Sequence, residues 1–273
     1  MVKKNKLNIG LVYGGRSCEH EVSVRSADSI RQNFDKNKYK IIDIFVDKNG
    51  KFKKPTSIID VYFPIIHGTG GEDGKLQGYF ETQNKAYVGA DVLGSAIGFD
   101  KDVQKRLLRD AGIKIADFIV LTELKDANQI LNKFKLPVFV KPCNSGSSVG
   151  VTKVCDENEL ISAIKDAFQF DTKIIIEECI KGREIEVSVL GGGKPLASVI
   201  GEIVPQNKHE FYDYNAKYID EKGARLIIPS KIKSKIQNEM QTVAINAFKI
   251  LGCYGMARVD MFLTHKMKSL LMR

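Results

Sequence analysis

The stretch Lys141-Pro142-Cys143-Asn144-Ser145-Gly146-Ser147-Ser148-Val149-Gly150 runs from a strand end into a loop of small residues and on into another strand. Gly and Ser add little bulk, so such a loop lets backbone N–H groups and hydroxyls close over phosphates, successive amides forming an anion-binding concavity. Lys141 would add a point charge. No Gly-Lys-Ser/Thr closes the loop and no helix follows it, so it is not a Walker loop. A plain hairpin turn is the plainer reading. Farther on, Ile174-Ile175-Ile176-Glu177-Glu178-Cys179-Ile180 sets a hydrophobic strand before two carboxylates and a connector that can offer backbone groups and a carboxylate to an adenine and ribose. Strand-end carboxylates are more often simply solvated, and Glu184, opening the next strand, is equally ambiguous by itself.

Arg258-Val259-Asp260 places a cation and a carboxylate on one strand face, where one can hold an anionic oxygen and the other a Mg²⁺ bridging phosphates. A surface ion pair reads the same way. One carboxylate is too few for a catalytic Mg²⁺ unless substrate phosphates or other ligands complete its shell. Gly14-Gly15-Arg16-Ser17-Cys18-Glu19 follows the first strand, where open α/β sheets bind ligands, and a carboxylate such as Glu19 can pair there with a substrate ammonium. Acidic residues also favour a helix N-terminus for its own sake. His67, beside Gly68, Glu72 and Asp73, can orient groups in the same cleft, although a lone His is more often structural. Tyr212 to Tyr218 mixes aromatic and charged residues, as a packed surface loop would. G-x-G-x-x-G is absent.

The elements that must position these groups are legible from periodicity. Leu7 to Val12, Ile41 to Val46 and Val61 to Ile66 read as strands, with a helix after the first whose Ala27, Ile30 and Phe34 share a face, giving a small open parallel sheet over residues 1–99. From 100 to 173 a helix near Asp102 to Ala111 precedes strands at Phe118 to Leu121, Val138 to Lys141 and Gly150 to Val154 and a helix at Glu157 to Phe168, an α+β block. From 174 to 273 consecutive strands at Ile174 to Glu178, Glu184 to Leu190 and Leu196 to Val204 predict an antiparallel sheet. A stripe of Ile232, Ile236, Met240, Val243, Ala247, Ile250 and Leu251, ended by Gly252, predicts a helix packed on it.

Composition excludes whole classes. At 273 residues, 43% hydrophobic and 27% charged, the chain has material for two or three domains with real cores. The net charge of +9 is scattered apart from Lys3, Lys4 and Lys6 and a group at Lys48, Lys51, Lys53 and Lys54, and no RNA-type aromatic motif accompanies it. Phosphate handling is favoured over nucleic acid. Five Cys without C-x-x-C spacing argue for reduced thiols. With no signal peptide and no membrane span in the sequence, a cytoplasmic location is expected.

Taken in order from Leu7 to Leu263, the motifs resemble the D-alanine–D-alanine ligase family of the ATP-grasp superfamily. The resemblance rests on Gly14-Gly15-x-Ser17-x-Glu19-x-Glu21-Val22-Ser23, His67-Gly68-x-Gly70-Gly71-Glu72-Asp73-Gly74-x-Leu76-Gln77-Gly78, Gly94-Ser95-Ala96 with Asp100-Lys101, Lys141-Pro142, Gly146-Ser147-Ser148-Val149-Gly150 and Phe211-Tyr212-Asp213-Tyr214-x-Ala216-Lys217-Tyr218. It implies an ATP-grasp fold, α/β and α+β, preceded by a small Rossmann-like open parallel sheet domain. By motif position, Lys101, Lys141 and Lys217 would contact phosphates and Ser148 would belong to the closing loop. Glu177, Cys179, Ile180 and Glu184 would hold adenine and ribose, with Phe211 lining the adenine pocket. Glu19 would take the ammonium of the first D-alanine, linked by Ser147 and Tyr218 to the lid. His67 would sit nearby, Arg258 would face the reacting carboxylate and Asp260 would bind Mg²⁺ or Mn²⁺. The implied partners are D-alanine and ATP, with no nucleic acid and no membrane. The family suggests a homodimer and a part in peptidoglycan synthesis.

One departure matters. The family continues beyond Asp260 to Asn-Glu-x-Asn, whereas here Thr264-His265-Lys266-Met267-Lys268-Ser269-Leu270-Leu271-Met272-Arg273 carries no further Asp, Glu or Asn. The reading expects a truncated or frame-shifted C-terminal subdomain lacking two metal ligands, part of the oxyanion site and a sheet-completing strand. An inactive nucleotide-binding remnant is then the alternative to a working ligase.

Overall fold

The computed structural model describes residues 6–124, 130–206, 220, 222–264 and 269–271, and the chain divides into two units, Met1–Ala96 and Ile97–Arg273. In the first, β1 (Leu7–Gly14) is buried from Ile9 to Val12, the mark of a parallel strand covered on both faces. It pairs in parallel with β2 (Tyr39–Val46) along its whole length and with β3 (Val61–Pro64) on its other edge, giving the order β2-β1-β3. This is the open parallel sheet the sequence predicts, in a unit that ends at Ala96 rather than residue 99.

Helix α1 (His20–Asn33) makes the crossover from β1 to β2 and buries Val22, Ser23 and Ala27. The second crossover, residues 47–60, carries the chain from β2 across to β3 with no helix and no strand, only a bridge between Val46 and Phe52. After β3 come α2 (Lys75–Thr82) and α3 (Val92–Phe99). Val12, Ile44, Ile66 and Phe80 form a core cluster here, with Tyr62 stacked on Phe80 at 4.6 Å.

The second unit holds two antiparallel sheets. Helix α4 (Lys101–Asp110) opens it with a capped N-terminus, the Asp100 side chain accepting from the amides of Asp102 and Val103. The first sheet has the order β4-β7-β5-β6, from β4 (Phe118–Leu121), β5 (Val138–Pro142), β6 (Thr152–Val154) and β7 (Ile174–Glu178). Two helices accompany it, α5 (Ile130–Lys133) and α6 (Glu157–Ala167), and α6 sets Leu160, Ala163, Ile164 and Ala167 against Val138, Val140, Ile174 and Ile176. On the other face of β7, Ile175 packs with Phe118 and Cys143, so β7 is apolar on both sides.

The second sheet has the order β11-β10-β8-β12-β13, built from β8 (Gly182–Gly191), β10 (Gly201–Pro205), β11 (Ala224–Ile227), β12 (Gly255–Thr264) and β13 (Ser269–Leu271), with β9 (Leu196–Ala197) pairing on β8. Side chains alternate as the pleat requires. Ile185, Val187, Val189, Val259, Met261 and Leu263 face the buried Met240, Ala244, Ala247 and Phe248 of α7 (Ser234–Ile250). Each fully buried side chain of this size contributes roughly 1.5–3 kcal/mol, so this layer fixes the sheet.

Three expectations need correction. Residues 174–178 pair with β4 and β5, so the block boundary expected at 173/174 falls after Glu178: a run apolar on both faces belongs in a sheet centre. The single strand expected over Leu196 to Val204 is two, β9 and β10, separated at 198–200. A strand does follow Asp260, because β13 pairs with β12 from Met261↔Leu271 to Leu263↔Ser269, so this sheet edge is not left bare.

Candidate active site

In the first unit the site is built from two loops stapled by serines. Gly14 and Gly15 turn the chain at φ of 94° and 95°, and a Cβ on Gly14 would stand 2.2 Å from the Val46 carbonyl oxygen, so only glycine fits. The buried Ser23 hydroxyl accepts from the Gly14 amide at 2.9 Å and donates to the Ile65 carbonyl at 2.6 Å, locking the helix to both loops. Ser17 Oγ donates to the His67 carbonyl at 2.7 Å and accepts from the Glu19 amide at 3.2 Å. Glu19 is only 3% exposed. A Cβ on Gly68 would lie 2.3 Å from Glu19 Oε2, so that glycine makes room for the carboxylate.

His67 stands beside it, its Nε2 3.2 Å from Ser26 Oγ and its Nδ1 3.9 Å from Glu72 Oε1. The latter is a charge contact too long for a hydrogen bond. The Glu72 carboxylate lifts the His67 pKa above its usual value, burial works against it, and Glu19 adds a smaller upward pull. Glu19 and His67 therefore share one electrostatic environment.

In the second unit the small-residue loop has a fixed shape. Ser147, Ser148 and Gly150 all take positive φ, at 47°, 62° and 70°. For the two serines this costs on the order of 1–3 kcal/mol each and persists only where surroundings impose it. Those surroundings are visible: Val149 N–H donates to the Gly146 carbonyl at 3.0 Å, Ser145 Oγ to the Val149 carbonyl at 3.1 Å, and the Asn144 amide to Asp171 Oδ2 at 2.7 Å. Positive φ at Ser148 and Gly150 flanks Val149, a turn whose successive amides can form an anion-binding concavity. Lys101 supports this loop from below, its Nζ donating to the carbonyls of Ser145 at 2.6 Å and Cys143 at 3.3 Å. The expected phosphate contact at Lys101 thus begins as a loop contact.

Glu177 is 3% exposed and lies between two lysines. Lys141 Nζ donates to Glu177 Oε2 at 2.7 Å, and Lys105 Nζ, 1% exposed, stands 3.2 Å from Oε1 but off the hydrogen-bond direction. Although burial works to raise it, the Glu177 pKa is pulled down to about 2 by the two ammonium groups. Burial pulls the Lys105 ammonium down in turn, opposed by Glu177. Two ammoniums against one carboxylate leave this trio net positive, and Lys141, with 14% of its side chain exposed, is the member that reaches a solute. Glu177, expected among the adenine and ribose contacts, has its carboxylate committed to these lysines. The neighbouring Glu178 Oε1 accepts from the Asp117 amide at 3.0 Å. Cys179 and Ile180 are half-buried at the exit of β7.

Glu184 and Glu186 of β8 share the polar face of the second sheet with Arg258 and Asp260 of β12, and Asp260 sits opposite Glu186 in register. The Arg258 guanidinium clasps Asp260 through Nε to Oδ1 at 2.7 Å and Nη2 to Oδ2 at 2.9 Å, and its Nε lies 3.2 Å from Glu186 Oε1. Both Asp260 oxygens are thus engaged, and among the described residues no three His, Cys, Asp or Glu side chains converge. These residues do not fit a resident Mg²⁺, which demands near-octahedral oxygen ligation, and no step below runs through one.

Phe211, Lys217 and Tyr218 lie outside the described residues. Sequence reasoning missed Lys105, Ser17 and Ser23 as positioning residues. The one signal for Lys105 is its place four residues after Lys101 and three before the core residue Leu108 on α4. No helix among the described residues is long and apolar enough to cross a membrane.

The family model described as D-ala D-ala ligase C-terminus matches residues 107–272, and its N-terminal counterpart matches in two pieces, 8–58 and 52–90. D-alanine–D-alanine ligase A of Escherichia coli K12 is 43% identical over 306 aligned positions, covering 95% of this chain and 84% of the relative. D-alanine–D-alanine ligase of Oceanobacillus iheyensis is 44% identical, covering 95% and 83%. Among solved structures, the VanG D-Ala:D-Ser ligase of Enterococcus faecalis superposes with a TM-score of 0.85 at 31% identity over 98% of this chain and 89% of that one. The D-alanine-D-alanine ligase of Coxiella burnetii gives 0.84 at 34%, covering 97% and 83%. Since 95% of this chain is about 259 residues, about 47 of the 306 aligned positions have no counterpart here. The broken N-terminal match puts that shortfall near residues 52–58.

Proposed function

Because the chain belongs to the D-alanine–D-alanine ligase family of ATP-grasp enzymes, we propose that it joins two D-alanines at the expense of ATP, through an acyl phosphate, for peptidoglycan precursor synthesis. The observation that carries the chemistry is the left-handed Ser147–Ser148 loop beside Lys141, a phosphate cradle with no Walker motif.

A carboxylate is a poor acyl donor until it carries a phosphate leaving group, so the γ-phosphoryl of ATP passes first to the carboxylate of one D-alanine. Lys141, held by Glu177, and the concavity of loop amides neutralise the triphosphate oxygens. Lys101 braces that loop, while Cys179, Ile180, Glu184 and Phe211 are the proposed contacts for adenine and ribose. Glu19 takes the ammonium of the first D-alanine, with His67 beside it. The amine of the second D-alanine attacks the acyl phosphate, and the Arg258 guanidinium steadies the tetrahedral oxyanion. Ser147, Ser148, Lys217 and Tyr218 close over the reacting groups and exclude water, which would otherwise hydrolyse the intermediate. Mg²⁺ or Mn²⁺ is the cation proposed to accompany ATP, and Asp260, clasped by Arg258 through both carboxylate oxygens, is not assigned to it. The reading includes a cytoplasmic homodimer with no nucleic-acid or membrane partner.

Phosphate release from ATP, measured with D-alanine, L-alanine or neither, tests it. D-alanine-dependent release with D-alanyl-D-alanine found by mass spectrometry is expected. Glu19→Gln should raise the D-alanine KM by about 10-fold or more, since a charge-assisted contact is worth roughly 1.5–3 kcal/mol. ATP binding without amino-acid-dependent release refutes it.

A further inference from the structure

The connection between β2 and β3 leaves a hole. These parallel strands lie on opposite edges of the first unit's sheet, and such a crossover is ordinarily made by a helix that covers a sheet face. Here residues 47–60 make it with irregular chain, at the place where the N-terminal family match breaks and relatives carry additional residues. Under that short strap is a cavity of about 920 Å³ whose walls include the core residues Val12, Ile44, Ile66 and Phe80. At its mouth Phe52 is 47%, Ile58 82% and Tyr79 49% exposed.

Its charge is one-sided. No Asp or Glu lines the cavity, whereas Arg16, Lys54, Lys75 and Lys85 do. Lys75 is paired with Asp73 at 2.7 Å, but among the described residues no carboxylate pairs with Arg16, Lys54 or Lys85. The volume falls within the range of roughly 300–1,000 Å³ typical of small-molecule sites, which combine apolar walls with a few convergent polar groups.

We propose that this cavity is a binding site for a small organic anion with an aromatic or branched apolar body, its body against Val12, Ile44, Tyr62 and Phe80 and its acidic head on Lys54, Lys85 and Arg16. The site lies wholly within the first unit and does not depend on the ligase reading, so the two fail separately. Gly15, Ser17, Thr69 and Gly70 form part of its lining, so an occupant touches the same loops that carry Glu19 and His67.

The test uses the full chain and 8-anilinonaphthalene-1-sulfonate, an aromatic body with one sulfonate, followed by fluorescence and calorimetry. One saturable equivalent is expected, weakened roughly five-fold by Lys54→Glu and by Lys85→Glu singly, as reversing an exposed charge near the head group implies. N-phenyl-1-naphthylamine, which lacks the sulfonate, should bind more weakly than the sulfonate and be indifferent to both substitutions. Lys54 and Lys85 are exposed, so the variants should keep the native circular dichroism spectrum. Absence of saturable binding, several equivalents per chain, or an affinity unmoved by both charge reversals overturns the proposal.

Discussion

Replacing Lys105 by Met should destabilise the second unit far more than an ordinary lysine substitution. Its ammonium is 1% exposed and faces a carboxylate that is 3% exposed. Glu177 is held at about 2 against an ordinary 4.5, and at about 1.4 kcal/mol per pKa unit the charged environment supplies on the order of 3 kcal/mol. Breaking a buried ion pair outright typically costs about 3–5 kcal/mol, but Glu177 keeps Lys141 at 2.7 Å, so losing one of its two cations should cost about 2–3 kcal/mol. At roughly 2–4 °C per kcal/mol for a domain of this size, the midpoint should fall by about 4–12 °C. The sign with pH follows from a depressed carboxylate. Its contribution is complete above 4.5 and is lost as pH falls toward 2, so in Lys105→Met the acid limb of the stability curve should move to higher pH. Thermal melts from pH 2 to 8 measure both effects. The double variant Lys105→Met, Glu177→Leu should recover part of the loss, because an apolar pair can replace a buried ionic one. A midpoint within about 2 °C of the parent together with an unmoved acid limb would refute the reasoning.

Other consequences are equally direct. Glu72→Gln should lower the His67 pKa, followed by NMR titration of its ring protons. Because a raised histidine pKa stabilises fully below about 6.5 and ceases to do so as pH rises through the folded value, the variant should lose stability at pH 5.5 and little at pH 8.5; an unchanged titration would count against the contact. Gly14→Ala should cost about 3 kcal/mol or more, since its Cβ meets the Val46 carbonyl. Gly70→Ala, at φ 89° with nothing within 4 Å, should cost only the backbone strain of about 1 kcal/mol, and equal melting losses would contradict this. A homodimer predicts a light-scattering mass of twice 30.5 kDa, and a value near 30.5 kDa at micromolar concentration would dismiss it.

Local signals carried much of the fold and some of the site. Leu7–Gly14 reads as a buried parallel strand because its apolar run is uninterrupted, and the small residues from Lys141 to Gly150 read as the tight turn that positive φ at Ser147, Ser148 and Gly150 gives it. Glu177 shows the limit. A carboxylate at a strand end reads as available, and only the packing of α4 brings Lys105 against it from 72 positions away. The same limit applies to β7, whose apolar run gives no hint of which sheet it joins. The hole beneath residues 47–60 was invisible for another reason. Four lysines around a turn look like a solvated surface, and nothing in their sequence says that Lys54 alone of them lines an apolar cavity.

The pairing of β8 with β12 ties the polar face to the oily one. Shifting Asp260 by one place from its partner Glu186 would send every side chain of β12 to the opposite side. Arg258 and Asp260 would then point at Phe248, and Met261 would meet water. Enlarging or shrinking Met240 or Phe248 is therefore a way to detune the guanidinium clamp without touching it, and damage in the greasy layer would surface first as mis-aimed charge.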